Sequence, residues 1–276
     1  MKKAFSLSYT SCHNDALLNE LQAAGFTGID LGFLGDVSML KGDVDANIHE
    51  LQTILSKHNM TVSQVHLPAY NIFASSETED AELEQHTKTA FYVMSELGVK
   101  WGAFHPMSST NYDYDRKRAM TDNRERLKKH LETAEKLGVG IAVENLPIFP
   151  DCPQYHFFTS DNEDLIELVD SLQSDNIGVC WDTGHANLMP YNQAEIIDQL
   201  GERIKILHVH NNSKLMDQHS CPAIGTIPWH EVMPVLSKHN FSGDMTLEVT
   251  LNKEMLCRKE YLALCGKAAD ELCKLM

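Results

Sequence analysis

Six apolar runs in this chain each stop on a residue able to bind a metal: TVSQVH, WGAFH, GIAVE, IGVCWD, IKILH and DMTLE end on His66, His105, Glu144, Asp182, His208 and Glu248. The gaps between those six residues are 39, 39, 38, 26 and 40 positions, close to what one strand-plus-helix unit consumes. Scattered histidines and acids would not keep landing where an apolar run stops. Parallel, neighbouring strands would bring the six side chains to one rim, which is how an active site is built on a barrel.

The rest of the chain agrees with that period. AFSLS (4–8) and GIDL (28–31) read as two earlier strands, making eight with 62–66, 101–105, 140–144, 177–182, 204–208 and 245–249. Helical patterns fall between them, at about Asn14–Ala24, Val44–Lys57, Glu79–Leu97, Asp115–Leu137 and Asn162–Leu172. A last helix spans about Lys253–Leu275. The helix at 162 opens on an acidic turn, as the helix dipole favours. Gly25, Gly98, Gly138 and Gly243 stand directly before strands, where helix-ending glycines belong. A doubly wound sheet would want a glycine-rich first turn, and the first turn here is YTSCHND, with no GxGxxG or GxxxxGK[ST] anywhere. The expected fold class is therefore α/β, a single (β/α)8 barrel occupying 1–276 as one domain, with its site at the C-terminal rim of the strands.

Composition narrows the function classes. The chain has 276 residues, 43% of them hydrophobic, enough for a large core. Its net charge is −16, from 39 acidic and 23 basic residues, which argues against a surface built to neutralise nucleic-acid phosphates. Seven cysteines, an odd number without framework spacing, read as reduced thiols of a cytoplasmic protein. MKKAFSLSY lacks the apolar stretch of a signal peptide, and no window approaches the roughly 18 apolar residues of a membrane span. Without a GxSxG elbow or a cysteine in a nucleophile motif, acyl transfer is not expected.

Each candidate residue has an ordinary alternative. Glu144 and Glu248 end apolar strands with no Lys or Arg beside them in sequence, so a structural ion pair is the weaker reading. Asp182 in CWDTGH would otherwise cap a helix, and His185 three residues later reaches the same rim. His208 and His210 share one strand face, and position favours His208 as the ligand. His66 and His105 would each be a core histidine if alone, but they belong to the ring of six. Asp217 and His219 in DQH sit in a loop, where such a pair is ordinarily solvated. Lys214 is a candidate for a substrate phosphate or carboxylate. Tyr70, Phe73, Trp101, Trp181 and Trp229 are candidates for an apolar wall, although aromatics beside barrel strands are usually core. His49, His58, His86, His130 and His239 are expected on helix surfaces. Met39, Met94, Met120 and Met233 are expected as packing or solvent-side residues rather than a soft-metal site.

The set Glu144, Asp182, His208 and Glu248 makes a hard, oxygen-rich site suited to Mn²⁺, Mg²⁺, Co²⁺ or Zn²⁺. Such an ion would grip the oxygens of a polyol or hydroxycarbonyl and acidify the adjacent C–H. Glu144 and Glu248 would flank the carbon, one removing a proton and the other returning it, giving epimerisation or aldose–ketose isomerisation through an enediolate.

At these residues the chain resembles the xylose-isomerase-like TIM-barrel superfamily, over essentially its whole length. The carrying segments are HLP (66–68), HP (105–106), VEN (143–145), GVCWDTGHA (178–186), LHVHNNSK (207–214), DQH (217–219), GTIPW (225–229) and LEV (247–249). In the ketose-epimerase branch the resemblance implies that Glu144, Asp182, His208 and Glu248 hold one metal, that the two glutamates are acid and base, and that His185 contacts substrate. In the apurinic-endonuclease branch, with its trinuclear zinc site, it implies nine ligands: His66, His105, Glu144, Asp182, His185, His208, Asp217, His219 and Glu248. Ala223 stands where a glycine is common before GTIPW.

The loop PAYNIFASSETED after His66 is acidic and lacks arginine, and the basic cluster of PMSSTNYDYDRKR comes late. A DNA-penetrating loop would want arginine and aromatic wedges. The expectation is a metal-dependent sugar, sugar-phosphate or polyol isomerase or epimerase with a small-molecule substrate, and neither nucleic acid nor membrane as partner. A homo-oligomer is expected from the habit of such barrels. A zinc-dependent endonuclease-like phosphodiesterase is the alternative.

Overall fold

The structure, a computed structural model, describes residues 1–69, 77–251 and 257–276. Strands and helices alternate throughout: β1 (Lys3–Ser8), α1 (Asp15–Ala23), β2 (Gly28–Gly32), α2 (Val44–Lys57), β3 (Thr61–His66), α3 (Glu77–Leu97), β4 (Trp101–Phe104) and α4 (Arg116–Lys136). They continue as β5 (Gly140–Glu144), α5 (Asn162–Leu172), β6 (Ile177–Asp182), α6 (Gln193–Leu200), β7 (Ile204–His208), α7 (Trp229–Lys238), β8 (Met245–Leu247) and α8 (Arg258–Leu275).

All eight strands are parallel and lie side by side in sequence order, with β8 against β1. The ring closes between β7 and β8 through a parallel bridge, Val209 to Leu247. There the Val209 N–H donates to the Thr246 carbonyl at 2.8 Å and the Glu248 N–H to the Val209 carbonyl at 3.1 Å. This is the expected (β/α)8 barrel.

Local chemistry explains the element ends. Asn14, Asp43, Asp115, Asp161 and Asn192 each accept a backbone N–H of the first helical turn that follows. Gly25, Gly98 and Gly138 take φ of 86°, 68° and 72°, ending α1, α3 and α4 as expected. Gly243 does not serve this way. Asn240 (φ 57°) turns the end of α7, and Gly243 is instead a close approach, where a Cβ would meet the Lys205 carbonyl at 2.8 Å. β4 and β8 stop at Phe104 and Leu247, so His105 and Glu248 stand one residue past their ladders. The expected start of the last helix, Lys253, lies outside the described residues.

The barrel wall packs outward on the helices and inward on itself. Alternation sends Ile141, Val143, Val179 and Trp181 outward into the main apolar cluster. Ala103, Ala142, Cys180 and Ile206 form a separate small cluster inside β4–β7. The other half of the interior is polar: Ser6 on β1, Asp30 on β2, Gln64 on β3 and Thr246 on β8.

Met39, Met94, Met120 and Met233 are buried in the main cluster, on the packing side of their expectation. Three histidines expected at the surface are buried, His58, His86 and His130 at 3%, 7% and 2% exposure. His58 Nε2 lies 2.9 Å from Asp15 Oδ1, joining α2 to α1. His130 is wedged edge-on between Phe91 and Phe104, and burial, helped by Arg126, lowers its pKa to about 4. Its folded pKa lies below the unfolded value of about 6.5, so the unfolded chain binds the extra proton and the stability His130 contributes is lost as pH falls from 6.5 towards 4. Between pH 7 and pH 5 this one residue should cost about 2 kcal/mol. In urea melts at both pH values, His130→Leu should lose about 2 kcal/mol less than wild type on acidification. Equal losses in the two proteins would remove His130 as the cause.

Candidate functional site

Strand register assembles the rim. In β6–β7 the ladder shifts between Val179 and Cys180, skipping Lys205, so that Asp182 stands directly beside His208. Glu144 pairs with Cys180 on β6 in the same upper layer. His66 and His105 come from the ends of β3 and β4, and Asp217 and His219 from the loop after β7, where the His219 Nδ1–H donates to the Glu248 carbonyl at 2.9 Å. Nine of the ten candidate side chains therefore meet at one end of the barrel. The tenth, Lys214, is exposed, and its backbone N–H donates to Asn212 Oδ1 at 3.0 Å. Its ammonium meets none of the converging groups among the described contacts.

Glu144 is the hub, with 1% of its side chain exposed. Its Oε2 lies 3.2 Å from His105 Nε2, 3.2 Å from His208 Nδ1 and 3.6 Å from His66 Nε2, and its Oε1 lies 3.2 Å from His185 Nδ1. Ligand-type atoms converge in three sets, each within 4.8 Å: Glu144, Asp182, His208 and Glu248; His66, Glu144 and His208; and His185, His210, Asp217 and His219. Three histidines show which nitrogen is free to coordinate. His66, His185 and His219 each donate Nδ1–H to a backbone carbonyl, of Leu67, Asn145 and Glu248 at 3.0, 2.9 and 2.9 Å. A carbonyl only accepts, so in the neutral rings the Nε2 lone pairs point into the cluster.

Among the described residues, charge is concentrated here without a lysine or arginine paired to the cluster. Burial alone would raise the pKa of Glu144, but the imidazoles of His105 and His208 hold it well below the carboxylate range. Asp182 is lowered in the same way, against burial, by His185 and His210. Burial opposes charge on His185 and His208, yet Asp182 and Asp217 raise the first, and Glu248 and Glu144 raise the second, well above 6.5. Against burial, Asp217 and Glu248 raise His219 to about 9. His66 moves the other way, lowered by burial and by His105. Four carboxylates and a set of imidazoles packed this closely are a donor set that a divalent cation fits. Buried polar atoms left without hydrogen bonds, both ring nitrogens of His208 and Asp217 Oδ1 among them, point the same way.

Asp182 caps a helix and also stands in one of the converging sets. Its Oδ1 caps the one-turn helix Thr183–Leu188 by accepting the His185 N–H at 2.7 Å, while His210 Nε2 lies 3.0 Å from the same atom. Gly184 makes room for that imidazole: a Cβ there would sit 1.9 Å from His210 Cε1. Asn145 braces the pair, accepting the Asp182 N–H at 2.7 Å and donating to the Asp182 carbonyl at 2.9 Å. No sequence motif marks Asn145 or Asp30 as site residues, although the period-two alternation of SLS and GIDL places Asp30 inside the barrel.

A cavity of about 320 Å³ opens beside the cluster, lined by Ser6, Ser8, Asp30, Asp36, His66 and Glu248. A larger groove of about 650 Å³ lies between α3 and α4 and contains none of the converging ligands. The three aromatic-wall candidates among the described residues do not line the cavity. Trp181 is fully buried in the core, with its Nε1–H donating to Gln193 at 3.1 Å. Trp101 starts β4 against Lys100 and Lys205, and Trp229 donates to the Pro222 carbonyl. Tyr70 and Phe73 lie outside the described residues.

The chain is 27% identical over 240 residues to an uncharacterised protein of Methanocaldococcus jannaschii, covering 82% of this chain and 78% of that one. It is 29% identical over 134 residues to a D-psicose 3-epimerase of Enterocloster bolteae, covering 49% of this chain and 40% of that one. Among solved structures, a D-tagatose 3-epimerase-like protein superposes with a TM-score of 0.76 at 23% identity, over 98% of this chain and 99% of that one. The zinc-bound IOLI protein superposes with a TM-score of 0.77 at 20% identity, over 99% and 98%. Residues 18–262 match the family described as xylose isomerase-like TIM barrel, and the chain belongs to that family.

Proposed function

We propose that the protein is a divalent-metal-dependent isomerase or epimerase of a sugar or polyol, with Glu144 and Glu248 as the acid–base pair. The observation that carries this reading is the set Glu144, Asp182, His208 and Glu248, converging within 4.8 Å beside a cavity that Glu248 lines. At about 320 Å³ the cavity is in the range that holds a small ligand. A divalent cation, when bound, supplies Lewis acidity towards the oxygens of a hydroxycarbonyl. Glu248, with 18% of its side chain exposed, takes the proton from the carbon. Glu144 serves the opposite face. Ser6, Ser8 and Asp36 offer hydroxyl and carboxylate partners for the sugar's remaining oxygens. The D-psicose 3-epimerase, the D-tagatose 3-epimerase-like protein and the zinc-bound protein among the similar proteins support the class and the metal. Seven free thiols favour a cytoplasmic setting. The test is a screen of free and phosphorylated ketoses with the metal-loaded protein in D₂O. Deuterium entering one carbon of one ketose supports the reading, and no exchange into any ketose removes it.

One observation favours the second reading, a multinuclear zinc phosphodiesterase. The donor atoms do not stop at four, because Glu144 is shared between two sets and His185, His210, Asp217 and His219 form a third. His219→Ala separates the two readings by metal content. A mononuclear isomerase should keep its single ion, whereas a trinuclear site should drop by about one zinc per chain in elemental analysis and lose nicking of abasic DNA.

A further inference from the structure

Asp30, on the second strand, sits in the barrel interior below the rim and is fully buried. Its only ion-pair partner among the described residues is an imidazole: His208 Nε2 lies 3.4 Å from Asp30 Oδ2. The Ser6 hydroxyl donates to the same oxygen at 2.5 Å, from the register position directly beside it on β1. Asp30 Oδ1 has no hydrogen-bond partner. A carboxylate so far from water is costly unless something nearby uses its charge.

The opposite edge of the His208 ring also faces acids. Nδ1 lies 3.2 Å from Glu144 Oε2 and 3.5 Å from Glu248 Oε2. A neutral imidazole carries one proton and so serves one edge as donor and the other as lone pair. We infer that Asp30 is a positioning residue: its Oδ2, 3.4 Å from Nε2 and within reach of a hydrogen bond that the ring does not make here, would take the Nε2–H of His208 and leave the Nδ1 lone pair facing Glu144, Asp182 and Glu248, where a cation would sit.

This orientation is opposite to that of His66, His185 and His219, which spend Nδ1–H on backbone carbonyls. A carboxylate is also a stronger acceptor than a carbonyl and raises the basicity of the coordinating nitrogen. Cys180 lies against the same ring, but burial pushes its pKa up, so it is a neutral thiol and a weaker partner. The backbone is shaped for the contact. Between β2 and β3 the register shifts at Ile29 and Asp30, setting Asp30 beside Gln64, and the Gln64 amide donates to the Leu207 carbonyl at 3.2 Å, immediately before His208.

The inference rests on the metal-dependent reading of the site, and two measurements separate their failures. First, Co²⁺ and Zn²⁺ affinities are measured by chelator competition for wild type, Asp30→Ala and Asp30→Asn. The alanine variant should bind about 10–100-fold more weakly, the usual effect of removing a carboxylate behind a ligating histidine. Asparagine retains an acceptor oxygen and should recover most of that loss, which a purely structural role would not require. Second, histidine-ring ¹H–¹⁵N correlation spectra of wild type are recorded with and without Zn²⁺, a test that needs no variant to fold. Zinc should shift Nδ1 of His208 while Nε2 keeps its proton. Alanine binding as tightly as wild type, or a zinc shift at Nε2, overturns the inference and leaves the metal reading standing. Wild type that binds neither ion overturns both.

Discussion

Glu248→Gln keeps the barrel folded and lowers kcat about 10²–10⁴-fold, the range expected for loss of a positioned general acid or base. The side chain stands one residue past β8, while its backbone N–H holds the ring closed by donating to Val209 at 3.1 Å, a bond that glutamine retains. No lysine or arginine pairs with Glu248 among the described residues; its ion-pair partners are His208 and His219 at 3.5 and 3.8 Å. Those imidazoles keep other acids, Glu144 at 3.2 Å from His208 and Asp217 at 3.0 Å from His219, so an isosteric amide leaves neither without a carboxylate, and the melting temperature should stay within about 3 °C of wild type. The amide has lost the ability to accept a proton from carbon. The assay is kcat and solvent deuterium exchange on the ketose found by the screen, at saturating metal, with metal content measured in parallel because glutamine is also a poorer ligand. A fully loaded variant that turns over at the wild-type rate would sink the acid–base assignment.

The barrel and most of its rim are legible in the sequence because one signal repeats. Each of the six apolar runs that end on His, Asp or Glu marks a strand and its C-terminal end together, and with AFSLS and GIDL they make the eight strands in order. What escaped reading depends on packing between elements. Asp30 sits in the middle of GIDL, where a lone acid between apolar neighbours carries no mark of its partner; His208 is 178 positions away in the chain and meets it only once the ring closes. His130 was legible in principle, since Asn123, Leu127, His130 and Ala134 lie on one helical face and all four are buried. Treating histidine as a surface residue concealed that. Gly243 was misread because a glycine before a strand serves equally for a left-handed turn or a close approach, and here the neighbouring Lys205 backbone decides. Only its loop makes Lys214 a candidate, and a loop's sequence does not say which way its side chains leave the backbone.

Removing bound metal with a chelator should destabilise the protein by about 4 kcal/mol relative to protein in a thousandfold excess of metal over Kd. For a chain of this size that corresponds to roughly 10 °C in melting temperature. The reason lies in how the acids are held without an ion. Glu144 and Asp182 are fully buried, and the groups opposing them are imidazoles whose own burial disfavours charge. The surrounding carboxylates raise both rings above their ordinary range, Asp182, Asp217 and Glu144 for His185 and Glu248 and Glu144 for His208. Metal binding must therefore displace protons from these rings, and the same rings make the chelated protein foldable, if weaker. Two readouts follow from the one experiment. Melting curves of chelated and reloaded protein should separate by roughly 10 °C. Calorimetric titration of the metal in buffers of different ionisation enthalpy should show net proton release at pH 7. Superimposable melting curves would mean that the converging carboxylates and imidazoles neutralise one another as a structural network, and that the acid–base chemistry assigned to Glu144 and Glu248 has no ion to work beside.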